Sequence, residues 1–118
     1  MRNFARLFAV LCASQLIGCG GLETKSVLVN VGDDKPTVLE AMGMPDDRQL
    51  DGSREAWQYC QTGAGFGYHD YRVVWFDNGR VSGMTSYKAT GIQAAGKSCM
   101  AAMREVDWGE APRRAANP

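Results

Sequence analysis

Cys60, His69 and Asp70 are the residues whose types could together perform chemistry in this sequence. A cysteine acts as a nucleophile when it is a reduced thiolate with a base such as histidine beside it. In an oxidising compartment the same cysteine is more often part of a disulfide, and Cys99 is an available partner. The chemistry open to Cys60 therefore depends on where the chain is sent, and the amino-terminal residues indicate that destination.

The first residues, 1–18, have the pattern of a secretory signal peptide. Arg2 and Arg6 precede an apolar stretch from Leu7 to Ile17, and a small residue closes the segment. The apolar stretch is too short for a membrane-spanning helix, which needs about 20 residues. The pattern predicts export of the chain and removal of residues 1–18.

The end of this segment, "LIGC" at residues 16–19, resembles the lipobox of bacterial lipoproteins. In that motif the cysteine is acylated and becomes the first residue of the mature protein. The resemblance implies that Cys19 is lipidated, and Gly20 after it implies sorting to the outer membrane, with the domain facing the periplasm. Each buried methylene of an acyl chain contributes about 0.8 kcal/mol to anchoring. Residues 19–26 are predicted to be this lipidated terminus and a polar linker.

The charge balance argues against one class of partner. The chain has 13 basic and 13 acidic residues, and loss of Arg2 and Arg6 leaves 11 basic residues against 13 acidic ones. A nucleic-acid-binding domain needs a clustered basic surface, which this sequence does not predict. We therefore expect no nucleic-acid partner.

The cysteine count predicts a disulfide. Cys12 leaves with the signal segment and Cys19 would carry lipid, so Cys60 and Cys99 remain as an even pair in an exported domain. Their bond would close a loop of about 40 residues and stabilise the fold by about 4 kcal/mol through the entropy of the unfolded chain. His69 and two cysteines lack the close ligand spacing of a zinc site, and we predict no metal or other cofactor.

Residues 29–45, "VNVGDDKPTVLEAMGMP", predict a short helix with signals at both ends. Asp33 or Asp34 can accept hydrogen bonds from the free N–H groups of the first turn. Gly43 suits the left-handed position after the last turn, and Pro45 prevents continuation. One apolar stripe is predicted at Val38, Leu39 and Met42. A helix of about two turns must pack against another element, and a sheet is the expected one.

Three later segments predict the strands of an antiparallel meander. Residues 55–60 alternate with Trp57 and Tyr59 on one face, and residues 71–76 are rich in β-branched and aromatic side chains. An Asn-Gly turn then leads into the third segment, residues 80–87, with one side formed by Val81, Thr85 and Tyr87. The connection at 61–70 predicts a mobile glycine-rich loop that carries His69. Its "GAGFG" lacks the Lys-Ser/Thr of a phosphate-binding loop.

The carboxyl-terminal part predicts a second helix. Apolar residues recur at helical spacing over 96–106, and Cys99 lies within this segment, so the disulfide would fasten the helix to the first strand. Residues 107–118 predict a flexible tail. The expected fold is therefore α+β. It consists of a short amino-terminal helix packed on a three-stranded antiparallel meander sheet, with an extra carboxyl-terminal helix, in one domain over 27–106.

The candidate interaction residues are aromatic. Phe66 and Tyr68 lie in the glycine-rich loop, and loops on a rigid scaffold often carry binding. Trp57 and Tyr59 are either core residues or, where one sheet face is left open, part of a partner-binding patch.

The motifs in this order are similar to the signature of the SmpA/OmlA (BamE-like) lipoprotein family. The resemblance covers residues 27–88 and is carried by the tryptophan strand, the Asn-Gly hairpin and the helix residues Gly32, Val38, Gly43 and Pro45. It implies a small α+β domain without catalytic residues. It also implies contacts with lipid and with envelope or outer-membrane proteins, which include components of the barrel-assembly machinery. The cysteine pair and the carboxyl-terminal helix are additions to the family pattern.

Two other functions remain open on the sequence. An inhibitor-like module could use the glycine-rich loop to hold a small ligand, a peptide or a target enzyme, and a pocket beside Phe66 and Tyr68 would favour it. An enzyme would require Cys60 as a free thiol, so a Cys60–Cys99 bond would remove that hypothesis.

Overall fold

The computed structural model describes residues 21–63, 65 and 67–113. They form an α+β domain with two helices and one four-stranded antiparallel sheet, which confirms the predicted class. The elements are α1 (Leu22–Ser26), α2 (Lys35–Met42), β1 (Asp47–Asp51), β2 (Arg54–Thr62), β3 (Tyr68–Asp77) and β4 (Arg80–Thr90), with 3₁₀ turns at Gly91–Gln93 and Trp108–Glu110. Three predicted features, the signal segment 1–18, Cys19 and Phe66, lie outside the described residues.

The helix α2 begins and ends where the sequence predicts. The Asp34 carboxylate accepts a hydrogen bond from the Thr37 N–H at 3.0 Å. Gly43, with a φ of 80°, closes the helix and donates its N–H to the Leu39 carbonyl at 2.8 Å. Asp33 instead accepts from the Asn30 N–H in the preceding loop. The cap is therefore Asp34, and the helix ends at a glycine with a positive φ, although its ψ of −167° is extended and not left-handed helical.

The segment before α2 differs from the linker predicted over 19–26. From Leu22 the chain forms α1, and the Leu22 N–H donates to the Gln61 side chain on β2 at 2.6 Å. Leu22 and Val29 pack against the core on the same side of the sheet as α2. These contacts with the sheet fix a segment whose polar composition predicted a linker. Neither described helix is long and apolar enough to cross a bilayer.

The sheet has the strand order β1-β2-β3-β4, so it contains one strand more than predicted. The missed strand is β1, whose sequence "DRQLD" has no β-branched or aromatic residue and so gives no strand signal. Its hairpin to β2 has a two-residue loop that starts at Gly52, with a φ of 60°. A glycine in that position is a hairpin signal that could have revealed β1. The predicted Asn78–Gly79 turn between β3 and β4 is confirmed by positive φ at both residues.

A bulge in β4 overturns the predicted facing of Val81. Trp75 pairs with Gly83, whereas Phe76 pairs with Val81, so Ser82 is an extra residue in β4. Val81 therefore packs with α2, while Thr85 and Tyr87 face the opposite side of the sheet. The sequence alternation alone could not show this, because one inserted residue exchanges the two faces.

One side of the sheet, here called the helix face, is covered by α1 and α2. Its buried core is apolar and includes a tilted ring contact between Trp57 and Phe76 with centroids 4.6 Å apart. The other buried members of this cluster are Val38, Met42, Tyr59, Val74 and Val81. Glu55 is also buried on this face and pairs with Lys35 at the start of α2 and with Arg48 on β1. Apolar packing and one ion-pair cluster thus hold both helices and β1 on β2.

The other side, here called the strap face, is covered by residues 94–112, which we call the strap. The helix predicted over 96–106 is wrong, because the strap there forms only turns. One helical bond is present, from the Ala102 N–H to the Ser98 carbonyl at 3.0 Å. In a helix, the strap carbonyls would accept hydrogen bonds from N–H groups of the following turn. Instead, sheet side chains donate to the carbonyls of Lys97, Cys99 and Arg104.

The start of the predicted tail is packed on the sheet. Trp108 lies edge-on to Trp75 with ring centroids 5.7 Å apart, and Ala111 joins the same cluster. Pro112 lies over Gly83, where an added Cβ would come within 2.4 Å of the proline ring. The flexible tail predicted from residue 107 thus has an ordered beginning, because the half-buried ring of Trp108 packs on the strap face.

Candidate interaction surface

The cysteine pair is the first chemistry-bearing feature that the structure locates. Cys60 at the end of β2 and Cys99 in the strap form a disulfide with their Cα atoms 5.9 Å apart, which confirms the predicted bond. A disulfide sulfur is not a thiolate nucleophile. Cys60 in this state therefore fastens the strap to β2, and it has no free thiol for the imagined catalytic pair.

His69 is a buried strand residue, which corrects its placement on a surface loop. β2 and β3 extend to Thr62 and Tyr68, so the loop is shorter than predicted and His69 is only 3 % exposed. Its Nε2 lies 2.8 Å from the Lys97 carbonyl, which requires a proton on that nitrogen. Its Nδ1 lies 3.1 Å from the Thr62 hydroxyl and accepts from it. One ring nitrogen thus holds the strap on the sheet, and the other is bonded to Thr62 of the neighbouring strand β2.

Three further sheet side chains hold the strap by its backbone. The Tyr71 hydroxyl donates to the Cys99 carbonyl at 2.7 Å, and Gln58 Nε2 donates to the Arg104 carbonyl at 2.9 Å. The Tyr87 hydroxyl donates to Gln58 Oε1 at 2.6 Å and accepts from the Arg104 N–H. Burial raises the pKa of Tyr71 and that of Tyr87, so both hydroxyls keep their protons at neutral pH. These bonds satisfy backbone groups of a strap that has little regular structure.

The aromatic residues proposed for interaction are separated by the fold. Trp57 and Tyr59 are 4 % and 3 % exposed in the helix-face core, so neither is available to a partner in this structure. The Tyr59 hydroxyl donates to the Gly43 carbonyl at 3.0 Å, and burial raises its pKa. Tyr68 is half-buried, with its ring against Gly63 and the Lys88 ammonium 4.8 Å above it.

An open cleft lies beside Tyr68. It has a volume of about 320 Å³ and is bounded by the start of α1, the end of β2 and the start of β3, including Leu22, Gln61 and Asp70. No group of three or more His, Cys, Asp or Glu side chains within the described part of the chain could hold a metal ion.

Three exposed apolar side chains lie within five residues of the loop between α1 and α2. Val27, Leu28 and Val31 are 72 %, 61 % and 73 % exposed, and these three side chains are called the 27–31 surface below. Val29, in the same five residues, turns inward and packs on the helix-face core. The sequence predicted no role for Val27 and Leu28. Residues 27–31 are four apolar residues and one asparagine, so they show no alternation of polar and apolar residues that would predict which side chains are exposed.

Hydrogen bonds hold the 27–31 surface in a defined conformation. The Leu28 and Val29 N–H groups donate to the carbonyls at the end of α1, each at 3.2 Å. The Asn30 N–H donates to the Asp33 carboxylate, and the Gly32 N–H donates to the Val81 carbonyl of β4, each at 2.8 Å. The loop cannot easily turn its valines and leucine inward, because its backbone is fixed at both ends. Three exposed apolar side chains so close together in sequence make this loop a candidate interaction surface.

Comparison of the chain with models of protein families, with curated protein sequences and with solved structures finds no match.

Proposed function

We propose that this protein is a non-catalytic lipoprotein of the outer membrane that acts by binding another envelope protein through the 27–31 surface. The observation that carries the proposal is the set of three apolar side chains held outward by a hydrogen-bonded loop. The lipid anchor at Cys19 is proposed from the sequence "LIGC". The resemblance to the SmpA/OmlA family supports the envelope role, which includes assistance in outer-membrane protein assembly.

A non-catalytic role is supported by what the reactive residue types do in the structure. Cys60 is bonded to Cys99, and both nitrogens of His69 are engaged with Thr62 and with the strap backbone. Nucleophilic catalysis needs a free nucleophile beside an available base. These residues stabilise the strap, which leaves surface contact as the function that the geometry supports best.

Site-specific photocrosslinking in intact envelopes tests the binding surface. A photoreactive amino acid at Leu28 should give an adduct with a defined envelope protein. The matched control is Leu50 on β1, which is 62 % exposed and lies outside the loop. The triple change Val27→Ser, Leu28→Ser and Val31→Ser should abolish co-purification of the same protein. An absent adduct, or the same adduct from Leu50, would contradict the proposal.

The anchor has its own test. Labelling with a radioactive fatty acid should mark the wild-type protein in the membrane fraction, and Cys19→Ser should lose both the label and the membrane association. Label that persists in Cys19→Ser would show that the acyl chain is attached elsewhere.

The cleft beside Tyr68 favours a second candidate function, the binding of a small ligand or peptide by an inhibitor-like module. Binding there should shift the NMR signals of Gln61, Tyr68 and Asp70 when a ligand library is added. Shifts confined to the 27–31 surface would instead favour the first proposal.

A further inference from the structure

The outer edge of β4 is the longest pairing surface that the sheet presents. β4 has 11 residues and lies at one edge, whereas the opposite edge strand β1 has five and carries charged residues at both ends. Among the described residues, backbone bonds that reach β4 from outside the sheet end at Val81. Within the described part of the chain, the edge from Ser82 to Thr90 therefore has outward-directed N–H and C=O groups with no backbone partner from outside the sheet. An edge of this kind is a template for an added strand.

The start of the same edge already pairs with an added segment. The Gly32 N–H donates to the Val81 carbonyl at 2.8 Å, and the Val81 N–H donates to the Asp33 carbonyl at 2.9 Å. Asp34 and Arg80 complete an isolated antiparallel bridge. These bonds show that this side of β4 pairs with an added segment up to Val81, immediately before the bulge at Ser82.

A cavity of about 280 Å³ lies beside the free part of this edge. It is bounded on β4 by Tyr87, Lys88 and Ala89, on the following 3₁₀ turn by Gln93, and on the strap by Lys97, Ala101, Ala102 and Arg104. None of these lining residues is acidic. Side chains of an added strand alternate between the two faces of a sheet, so every second one would lie on the strap face, and one opposite Tyr87 to Ala89 would be next to this cavity.

The charge of the cavity indicates which side chain would enter it. The Arg104 guanidinium lies 4.0 Å over the Tyr87 ring, which holds it at the cavity. Its present partner Glu110, at 3.2 Å, is an exposed ion pair of the kind that contributes little and exchanges readily. Lys97 adds a second positive charge, whereas the Lys88 ammonium is directed to Asp70 and Tyr68 on the helix side.

We propose that the edge of β4 from Ser82 to Thr90 binds an extended peptide segment of a partner protein, with an acidic side chain placed between Lys97 and Arg104. The backbone bonds would supply affinity, and the cationic cavity would supply selectivity. The proposal rests on the proposed function only in taking the partner to be a protein. It uses a different surface from Val27, Leu28 and Val31, so either proposal can fail alone.

Binding of designed peptides to the purified protein tests this directly. The probe is a labelled, threonine-rich octapeptide with one central glutamate, and its matched control carries glutamine at that position. Fluorescence anisotropy should show about tenfold tighter binding of the glutamate peptide, the size expected for a charge-assisted hydrogen bond. A third peptide, N-methylated on the backbone amides along both of its edges, should not bind, because it lacks the N–H groups that pair with β4.

Two further measurements locate the site. The double change Lys97→Gln and Arg104→Gln should remove the preference for glutamate, so that the two peptides bind with about equal affinity. Lys25→Gln on α1 should leave the preference unchanged. Hydrogen exchange should slow at Ser82 to Thr90 when the glutamate peptide is bound. Equal affinity for the two peptides, binding by the methylated peptide, or protection elsewhere than on β4 would overturn the proposal. None of these results bears on photocrosslinking at Leu28, which tests the 27–31 surface independently.

Discussion

The two faces of the sheet are covered in different ways. The helix face is closed by α1 and α2, whose apolar side chains pack on Trp57, Val74 and Phe76. The strap face is closed by a segment with little regular structure, held by a disulfide, by buried polar side chains and by Trp108. A helix satisfies its own backbone, so its cover can be purely apolar. A strap must find partners for its backbone, and the sheet supplies them from His69 and Tyr71.

This difference explains why residues with catalytic chemistry occur in a protein proposed to have no catalytic function. A histidine, a cysteine and buried tyrosines on one sheet face resemble the components of an active site in sequence. On this face they serve as hydrogen-bond donors and as a covalent link for the strap. The predictions below separate the two faces by what each loses when one contact is removed.

The largest expected effect is loss of the helix-face core. Phe76→Ala removes a ring that is 1 % exposed, so it should reduce the free energy of unfolding by about 3–5 kcal/mol. Trp108→Ala removes a half-exposed ring from the strap and should cause a smaller loss. Urea unfolding monitored by far-UV circular dichroism measures both changes. Equal losses would mean that the two faces contribute alike.

A smaller effect is expected where the strap ends. Gly83→Ala places a Cβ within 2.4 Å of the Pro112 ring, so the strap end must shift, at a cost of about 1–3 kcal/mol. Adding Pro112→Ala should recover most of this loss, because it removes the clashing ring. The control is Gly67→Ala, where the added atom meets nothing within 4 Å. A double variant as unstable as Gly83→Ala alone would contradict the contact.

The smallest expected effect concerns the ion pairs of the helix face. Burial alone would raise the pKa of Glu55, but Arg48, Lys35 and the Trp57 N–H lower it to about 2 from the ordinary 4.5. A lowered pKa means that this stabilisation is present above pH 4.5 and is lost as the pH falls toward 2. Glu55→Gln should cost about 1–2 kcal/mol at pH 7, after allowance for the exposure of Lys35 and Arg48.

The Glu55→Gln variant should also lose less stability between pH 4.5 and pH 2 than the wild type does. Urea unfolding at a series of pH values measures this. Glu40→Gln, an exposed carboxylate on α2, is the control and should keep the wild-type acid profile. An unchanged profile for Glu55→Gln would show that Glu55 does not carry the acid sensitivity.

The features of the fold that could be predicted from the sequence are those set by neighbouring residues, and the features that were missed depend on contacts distant in sequence. Asp34, Gly43 and the Asn78–Gly79 turn act through local backbone chemistry, so their roles were readable from neighbouring residues. The strap was predicted as a helix because its apolar spacing is helical, yet its carbonyls bond to side chains far away in sequence. β1 was missed because backbone pairing with β2 forms it without a strand-like side-chain pattern.

The candidate site was harder to predict than the fold. The Cys60–Cys99 bond followed from counting cysteines, whereas the burial of Trp57 and Tyr59 depended on which side α2 covers. The 27–31 surface depends on a loop conformation fixed by a bond from Gly32 to Val81. A contact so distant in sequence leaves no local pattern to read.

Hydrogen exchange with and without reductant tests the central claim that the disulfide and its polar partners hold the strap. The native bond joins cysteines 39 positions apart in the sequence and should contribute about 4 kcal/mol in the chain-entropy treatment. After reduction by a dithiol, or in Cys60→Ser with Cys99→Ser, amides at 94–106 should lose more protection than those of α2 and β3, which should show only the general loss of global stability. Unchanged protection at 94–106, or equal loss over α2 and the strap, would contradict the account.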